Sequence, residues 1–238
     1  DGDAQQVVAG GDLSLSTTAG SGTSNSGDIV IEGRQTADGS ITISSNKSTF
    51  LGADQTAGTE MLCQSAVRLT NDLTLTTGGD LTFAGTLDDD GSSASGSALT
   101  IDAGEDVVFA GAVGAIVGDR LDTLTVADSE SVEFQSTVTI DGDLKVVTTL
   151  SSGATAGTIS FADDVTTTAG LATGSVEITN SGLLLIAPGA DLSLAGSFAQ
   201  NGPGSTELGG NITTDNGGIS FDQALLLTES VRLDSSNR

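Results

Sequence analysis

The chain has 238 residues, with 32 Asp or Glu against 7 Lys or Arg, a formal net charge of −25, and no His, Trp or Tyr. The absence of His excludes Ser-His-Asp triads, His metal sites and imidazole acid–base chemistry, and the charge repels phosphate backbones and anionic lipid surfaces, which sets aside nucleic acid and membranes as partners. A 37% hydrophobic content with 33 Gly and only 2 Pro describes a folded chain rich in tight turns, neither disordered nor collagen-like.

In chain order, Leu13-Ser14-Leu15-Ser16, Ile41-Thr42-Ile43-Ser44, Leu73-Thr74-Leu75-Thr76, Leu124-Thr125-Val126, Val176-Glu177-Ile178 and Leu192-Ser193-Leu194 alternate aliphatic with mostly polar residues. A period of two predicts strands with one buried face. Turn signals punctuate them at Gly10-Gly11-Asp12, Gly78-Gly79-Asp80, Asp141-Gly142-Asp143 and Asn216-Gly217-Gly218. No amphipathic helix of three turns is present, and the longest purely apolar run, Leu183 to Ala187, is far short of the roughly 20 residues of a membrane helix. Asp1-Gly2-Asp3 lacks the basic start and apolar stretch of a signal peptide, so the expectation is a cytoplasmic, matured or excised chain.

The strands repeat. Leu81-x-Phe83 to Leu87, Val107-x-Phe109 to Val113, Val132-x-Phe134 to Val138, Ile159-x-Phe161 to Val165 and Ile219-x-Phe221 to Leu225 share one form, and Leu192-x-Leu194 to Phe198 reads as a degenerate sixth copy. The steps are 26, 25, 27, 33 and 27 residues, which reads as a near-regular period with one insertion. Such a period of short strands and Gly turns predicts an all-β, right-handed parallel β-helix of about nine coils, with Phe stacked on Phe. The residue two after each Phe is Gly85 or Gly111 in two copies but Asp163 or Gln223 in two others, so the chain should turn a corner there. A longer echo aligns Met61–Leu69 with Leu225–Leu233 at an offset of 164, so a second copy begins as the chain ends. Asn237-Arg238 closes without a polar capping coil. Residues 1–238 are therefore expected to form a single solenoid segment of a longer repetitive chain, its open ends suited to end-to-end self-association.

The segments Gly79-Asp80-Leu81-Thr82-Phe83-Ala84-Gly85, Asp106-Val107-Val108-Phe109-Ala110-Gly111-Ala112-Val113-Gly114, Asp122-Thr123-Leu124-Thr125-Val126 and Gly209-Gly210-Asn211-Ile212-Thr213-Thr214 resemble the strand repeats of large secreted bacterial adhesins of the filamentous haemagglutinin type. The resemblance covers most of the chain after about Asp72 and implies an extracellular or cell-surface β-solenoid acting as a shaft. The family's N-terminal secretion cap has no counterpart in residues 1 to 60, which suits an internal segment.

Few residues suggest chemistry. Cys63 has no His to activate it and no Lys or Arg nearer than Arg68, and its counterpart in the long echo is Leu227, so it reads as an apolar core position rather than a nucleophile or interchain crosslink. Calcium has candidate carboxylates at Asp88-Asp89-Asp90, Asp141-x-Asp143, Asp163-Asp164 and Asp1-x-Asp3, but no known calcium loop is matched, and solvated turn acids are the preferred reading. Asp163 and Asp164 are the pair available to a polysaccharide-cleaving β-helix, against which stand the few basic residues and the lack of aromatic sugar platforms. Thr74-x-Thr76, Thr123-x-Thr125 and Thr137-x-Thr139 suggest outward Thr ladders, though their irregular spacing favours simple β-propensity. Asn46-Lys47-Ser48 and Asn211-Ile212-Thr213 are glycosylation sequons in a eukaryotic route. No catalytic, cofactor-binding or metal residue is assigned. The expectation is a non-enzymatic structural segment, with a flat face that binds surface glycans or ice as the alternative.

Overall fold

Alternation turns every second side chain inward. In the computed structural model, which describes residues 6–17, 27–92, 96–149, 157–170 and 172–235, those side chains stack in columns along one axis. Among the described residues every strand pairing is parallel and there is no helix, hence none long and apolar enough to cross a membrane. Sheet A holds ten strands from Val7–Ala9 to Ile219–Phe221, and sheet B ten from Leu13–Ser16 to Leu225–Leu227. Sheet C comes in two blocks, four strands from Ile29–Ile31 to Leu87–Asp89 and five from Val138–Ile140 to Leu233–Ser235. The chain visits A, B and C in turn, giving a parallel β-solenoid of about nine turns.

The repeated motif is one strand of sheet B, a corner, and the first inward residue of sheet C. Leu81 and Phe83 point inward from sheet B, the chain turns at Gly85, and Leu87 opens sheet C. The corner expected two residues after Phe is present, and Asp163 and Gln223 are exposed there. At Gly111 the coils approach so closely that a Cβ would lie 2.3 Å from the Gly85 carbonyl oxygen, a distance only glycine tolerates.

Phe83, Phe109, Phe134 and Phe161 occupy one inward column of sheet B, fully buried, with centroid separations of 5.3, 4.7 and 4.9 Å and interplanar angles of 2 to 5°. Leu15, Ile43 and Cys63 precede them in the column, and Ile186, Leu208 and Leu227 follow. The register corrects two assignments. Ile219-x-Phe221 lies in sheet A, where Phe221 tilts at 48° to Phe198, and Leu192-x-Leu194 lies in sheet C. Inward positions of all three sheets select the same residue types, so periodicity cannot name the sheet; hydrogen-bond register does. Followed along the sheet B column from Leu15 to Leu227, successive steps are 28, 20, 20, 26, 25, 27, 25, 22 and 19 residues, and the apparent 33-residue insertion disappears.

The long echo holds in sheet B, where Met61–Cys63 and Leu225–Leu227 share columns, but not beyond it. Val67 sits in the sheet C column that ends at Leu233, displaced by two residues from its echo partner Val231. Val231 instead packs half-buried at a wider corner.

Sheet C breaks in the fifth coil, where Val113 alone bridges Leu87 and Val138. The chain departs at Gly114, whose φ of +70° favours glycine, and returns at Leu121, which is wholly buried. Ion pairs Arg68–Asp119 and Arg120–Asp141, both at 3.3 Å, clip this excursion to the coils on either side. Val117 at its apex is 83% exposed.

Truncating the aromatic stack should cost more than truncating an outward ring. Phe109→Ala is expected to destabilise the fold by about 3–5 kcal/mol in urea unfolding, and Phe50→Ala, on the outer face of sheet C and half-exposed, by clearly less. Equal losses would show that the column does not anchor the coils.

Candidate functional site

The acidic residues do specific work at the corners. Where a strand begins, its first amide donates to the carbonyl of the corner residue one coil later, as in Val165 to Asp191, Leu192 to Asn211 and Ile212 to Arg232. The amide of that later corner residue would then be orphaned, and buried or half-buried amides demand partners. The side chain of the earlier corner residue supplies one. Asp164 Oδ1 accepts from the Asp191 amide, Asp191 Oδ1 from the Asn211 amide, and Asn211 Oδ1 from the Arg232 amide, each at 2.8 Å. The same bond joins Asp12 to Ser40, Asp54 to Thr74, Asp72 to Ala98, Asp80 to Asp106 and Asp143 to Ser175, at 2.8 to 3.1 Å. In all of these the acceptor belongs to the earlier coil. Ser40 donates to Asp12 from both its amide and its hydroxyl, and these bonds hold the Asp12 carboxyl below its usual 3.8.

The proposed calcium and catalytic acids are dispersed into this scheme. Asp141 accepts from the Thr168 hydroxyl at 2.9 Å and pairs with Arg120, and Asp143 accepts from the Ser175 amide and the Thr173 hydroxyl. Asp163 accepts from the Asp164 amide within its own turn, whereas Asp164 reaches the next coil, so each carboxylate has a structural partner of its own. Asp88 and Asp89 depart from the expectation of solvated turn acids, because the excursion covers them and leaves each 1% exposed. Asp88 Oδ1 accepts from the Ile116 amide at 2.9 Å. Asp89 takes the inward position held by Leu69 one coil earlier, and its Oδ1 accepts from the Gly91 amide at 2.8 Å. Asp1 and Asp3 lie outside the described residues. Among the described residues, no three Cys, Asp or Glu side chains are grouped to hold a metal ion.

Cys63 is buried between Ile43 and Phe83 in its column, and burial pushes its thiol up from 9.0 to about 12. Asn211 spends its side-chain nitrogen on the Asp191 carboxylate at 3.0 and 3.2 Å, so the atom a glycan would need is engaged in the corner ladder. The threonine pairs separate by face. Thr74 continues into Thr100 and Thr125 on the outside of sheet A, Thr76 follows Thr36 and Thr56 beside them, and Thr139 lies on sheet C. The two sheet A columns stand abreast only at Thr74 and Thr76, since Asp102 follows Thr76.

Two features escaped sequence reading. Gln35-Thr36-Ala37 and Gln55-Thr56-Ala57 repeat 20 residues apart and stack with both Gln side chains buried, a signal that a search for exact tripeptide repeats finds. Each Gln turns its amide back to the carbonyl two residues earlier. Further along, buried Gln200 donates to Asn180 Oδ1 at 2.6 Å, and Asn180 donates to Gly182 at 2.7 Å.

Two shallow clefts open at the corners between sheets A and B. Glu60, Asp80 and Glu105 line one, and Asp102, Asp128 and Glu130 with Ser129 and Thr149 line the other. Both offer carboxylates and hydroxyls, and neither offers a basic group or a thiol. Chemically this arrangement can accept hydrogen bonds and hold coils together. No protein-family model, curated protein or solved structure matches the chain.

The corner bond is testable at one link. Asp191→Ala is expected to cost about 1 kcal/mol and to deprotect the Asn211 amide in hydrogen exchange, whereas Asp191→Asn keeps an acceptor oxygen and retains most of the protection. Cys63 should resist aqueous thiol reagents at pH 8 in the folded chain and react once unfolded. Because its folded pKa lies above the unfolded one, its contribution to stability is full below about 8.5 and is lost as pH rises toward about 12.

Proposed function

We propose that the chain is a non-enzymatic shaft segment of an extracellular bacterial surface protein, of the kind its strand repeats resemble. The observation that carries this reading is axial continuity. Sheets A and B each run through ten strands without interruption, and the one irregular coil is bridged by Val113 and clipped by ion pairs. A stack of this kind resists bending because every coil is hydrogen-bonded to the next along the axis. Acidic side chains spent on corner amides are spoken for structurally, which supports a mechanical role over a catalytic one. The remaining outward charge, from a net −25, keeps the rod soluble and discourages lateral association.

A second reading, a flat face that binds surface glycans or ice, is favoured by the aligned Thr36–Thr56–Thr76 and Thr74–Thr100–Thr125 columns on sheet A. It is the narrower of the two, since the double rank is a single coil deep.

Small-angle scattering and electron microscopy should find a rigid rod about 45 Å long, nine steps of roughly 4.8 Å, and the same preparation should be silent on a glycan array, in ice recrystallisation and on polysaccharide substrates. A flexible or globular particle would sink the shaft reading, and saturable glycan or ice binding lost on replacing Thr74, Thr76 and Thr100 by Lys would replace it with the second.

A further inference from the structure

The strand register keeps acids apart. In the strand pairings of the described residues, acids lie beside neutral or basic partners of the adjacent coil, as Asp88 beside Arg68, Glu177 beside Lys145 and Glu133 beside Ser160. One pairing departs from this. Asp102 of the fifth coil is in register with Asp128 of the sixth, and both side chains are exposed. A register shift after Ile101 creates the pair, because in an unbroken ladder Ala127 would face Asp102.

Like charges directly opposed across two strands destabilise a sheet, and no basic side chain offsets these. Lys145, on the same face, is paired with Glu177 at 3.5 Å. Among the described residues Asp102 has no hydrogen-bond or ion-pair partner, and Asp128 has the Thr149 hydroxyl, which donates to its Oδ1 at 2.7 Å and leaves Oδ2 without one. Both carboxylates line the cleft that Glu130, Ser129 and Thr149 share, a space of about 310 Å³ between sheets A and B.

Ser129 is the second, independent sign of a ligand. It lines the same cleft and is 2% exposed, and its Oγ is buried without a hydrogen-bond partner among the described residues. A buried hydroxyl in that state calls for an ion or a water. Two unneutralised carboxylates and a hydroxyl form a set of hard oxygen donors, which selects a hard divalent cation over a soft one. Donors drawn from a bulge and a corner suit the adaptable oxygen shell of calcium better than the octahedron that magnesium demands.

We propose that Asp102, Asp128 and Ser129 hold a calcium ion that bridges the fifth and sixth coils, with water completing its shell. Two carboxylates give a low ligand charge, which places the dissociation constant at about 10⁻⁴–10⁻³ M. The same two coils are the ones joined in sheet C by the lone bridge from Val113 to Val138. An ion at the corner between sheets A and B fastens them where that sheet is weakest. The site goes beyond the shaft reading and does not depend on it.

Calcium titrated into the full chain by calorimetry, in about 0.1 M salt to screen diffuse attraction to a net charge of −25, should fill one saturable site. Asp102→Asn and Ser129→Ala should each weaken it by at least about tenfold, and Glu60→Gln in the other cleft should leave it unchanged. Asp102→Asn also removes the opposed charges, so without calcium this variant should melt no lower than the unaltered chain. It should lose the rise in melting temperature that calcium gives the unaltered chain. Absence of saturable binding, equal weakening by Glu60→Gln, or tighter binding of magnesium than of calcium would overturn the proposal.

Discussion

Everything in this molecule follows from one requirement: each inward side chain must find a neighbour of compatible shape directly above and below it. A solenoid has no globular centre to absorb a misfit, so its core is a set of one-dimensional columns. The four phenylalanines from Phe83 to Phe161 meet that requirement with near-parallel rings. Smaller side chains, Cys63 before them and Ile186 after, continue the column. Some polar residues enter the interior beside another polar residue, as with stacked Gln35 and Gln55 or the bonded Asn180 and Gln200. An unmatched amide there would cost more than an apolar substitute.

Stacking alone leaves the corners unsolved, because backbone groups that leave a sheet lose their ladder partners. Corner aspartates such as Asp12, Asp80, Asp164 and Asp191 answer this with a side-chain acceptor given by the earlier coil to the later one. A composition that looks like a solubility device is thereby also a set of axial fasteners. The same geometry explains why acidic pairs such as Asp163-Asp164 do not act together: adjacent residues at a corner face different tasks, one within the turn and one toward the next coil.

The excursion between Gly114 and Leu121 shows how much irregularity the stack tolerates. One sheet of three is reduced to a single bridge, yet sheets A and B pass through unbroken. Burial of Leu121, the amide bond to Asp88 and two ion pairs fasten the loop to the surface it covers. Asp88 and Asp89, adjacent to Asp90 and outwardly similar in sequence, are buried because the loop covers Asp88 and because Asp89 takes the inward position of Leu69.

Alternation and turn residues were enough to determine that the chain is all β, that its strands repeat, and that Phe stacks on Phe, because those properties depend on local period and on the spacing of bulky inward residues. The corner after each Phe was legible too, since an inward Asp163 would have been intolerable. Which sheet a strand joins was decided only by tertiary structure. Ile219-x-Phe221 and Val107-x-Phe109 are alike as strings, and the difference between sheet A and sheet B lies in the coil lengths that precede them. The partners of the corner acids were hidden for the same reason: Asp164 and Asp191 are 27 residues apart in the chain and one step apart along the axis.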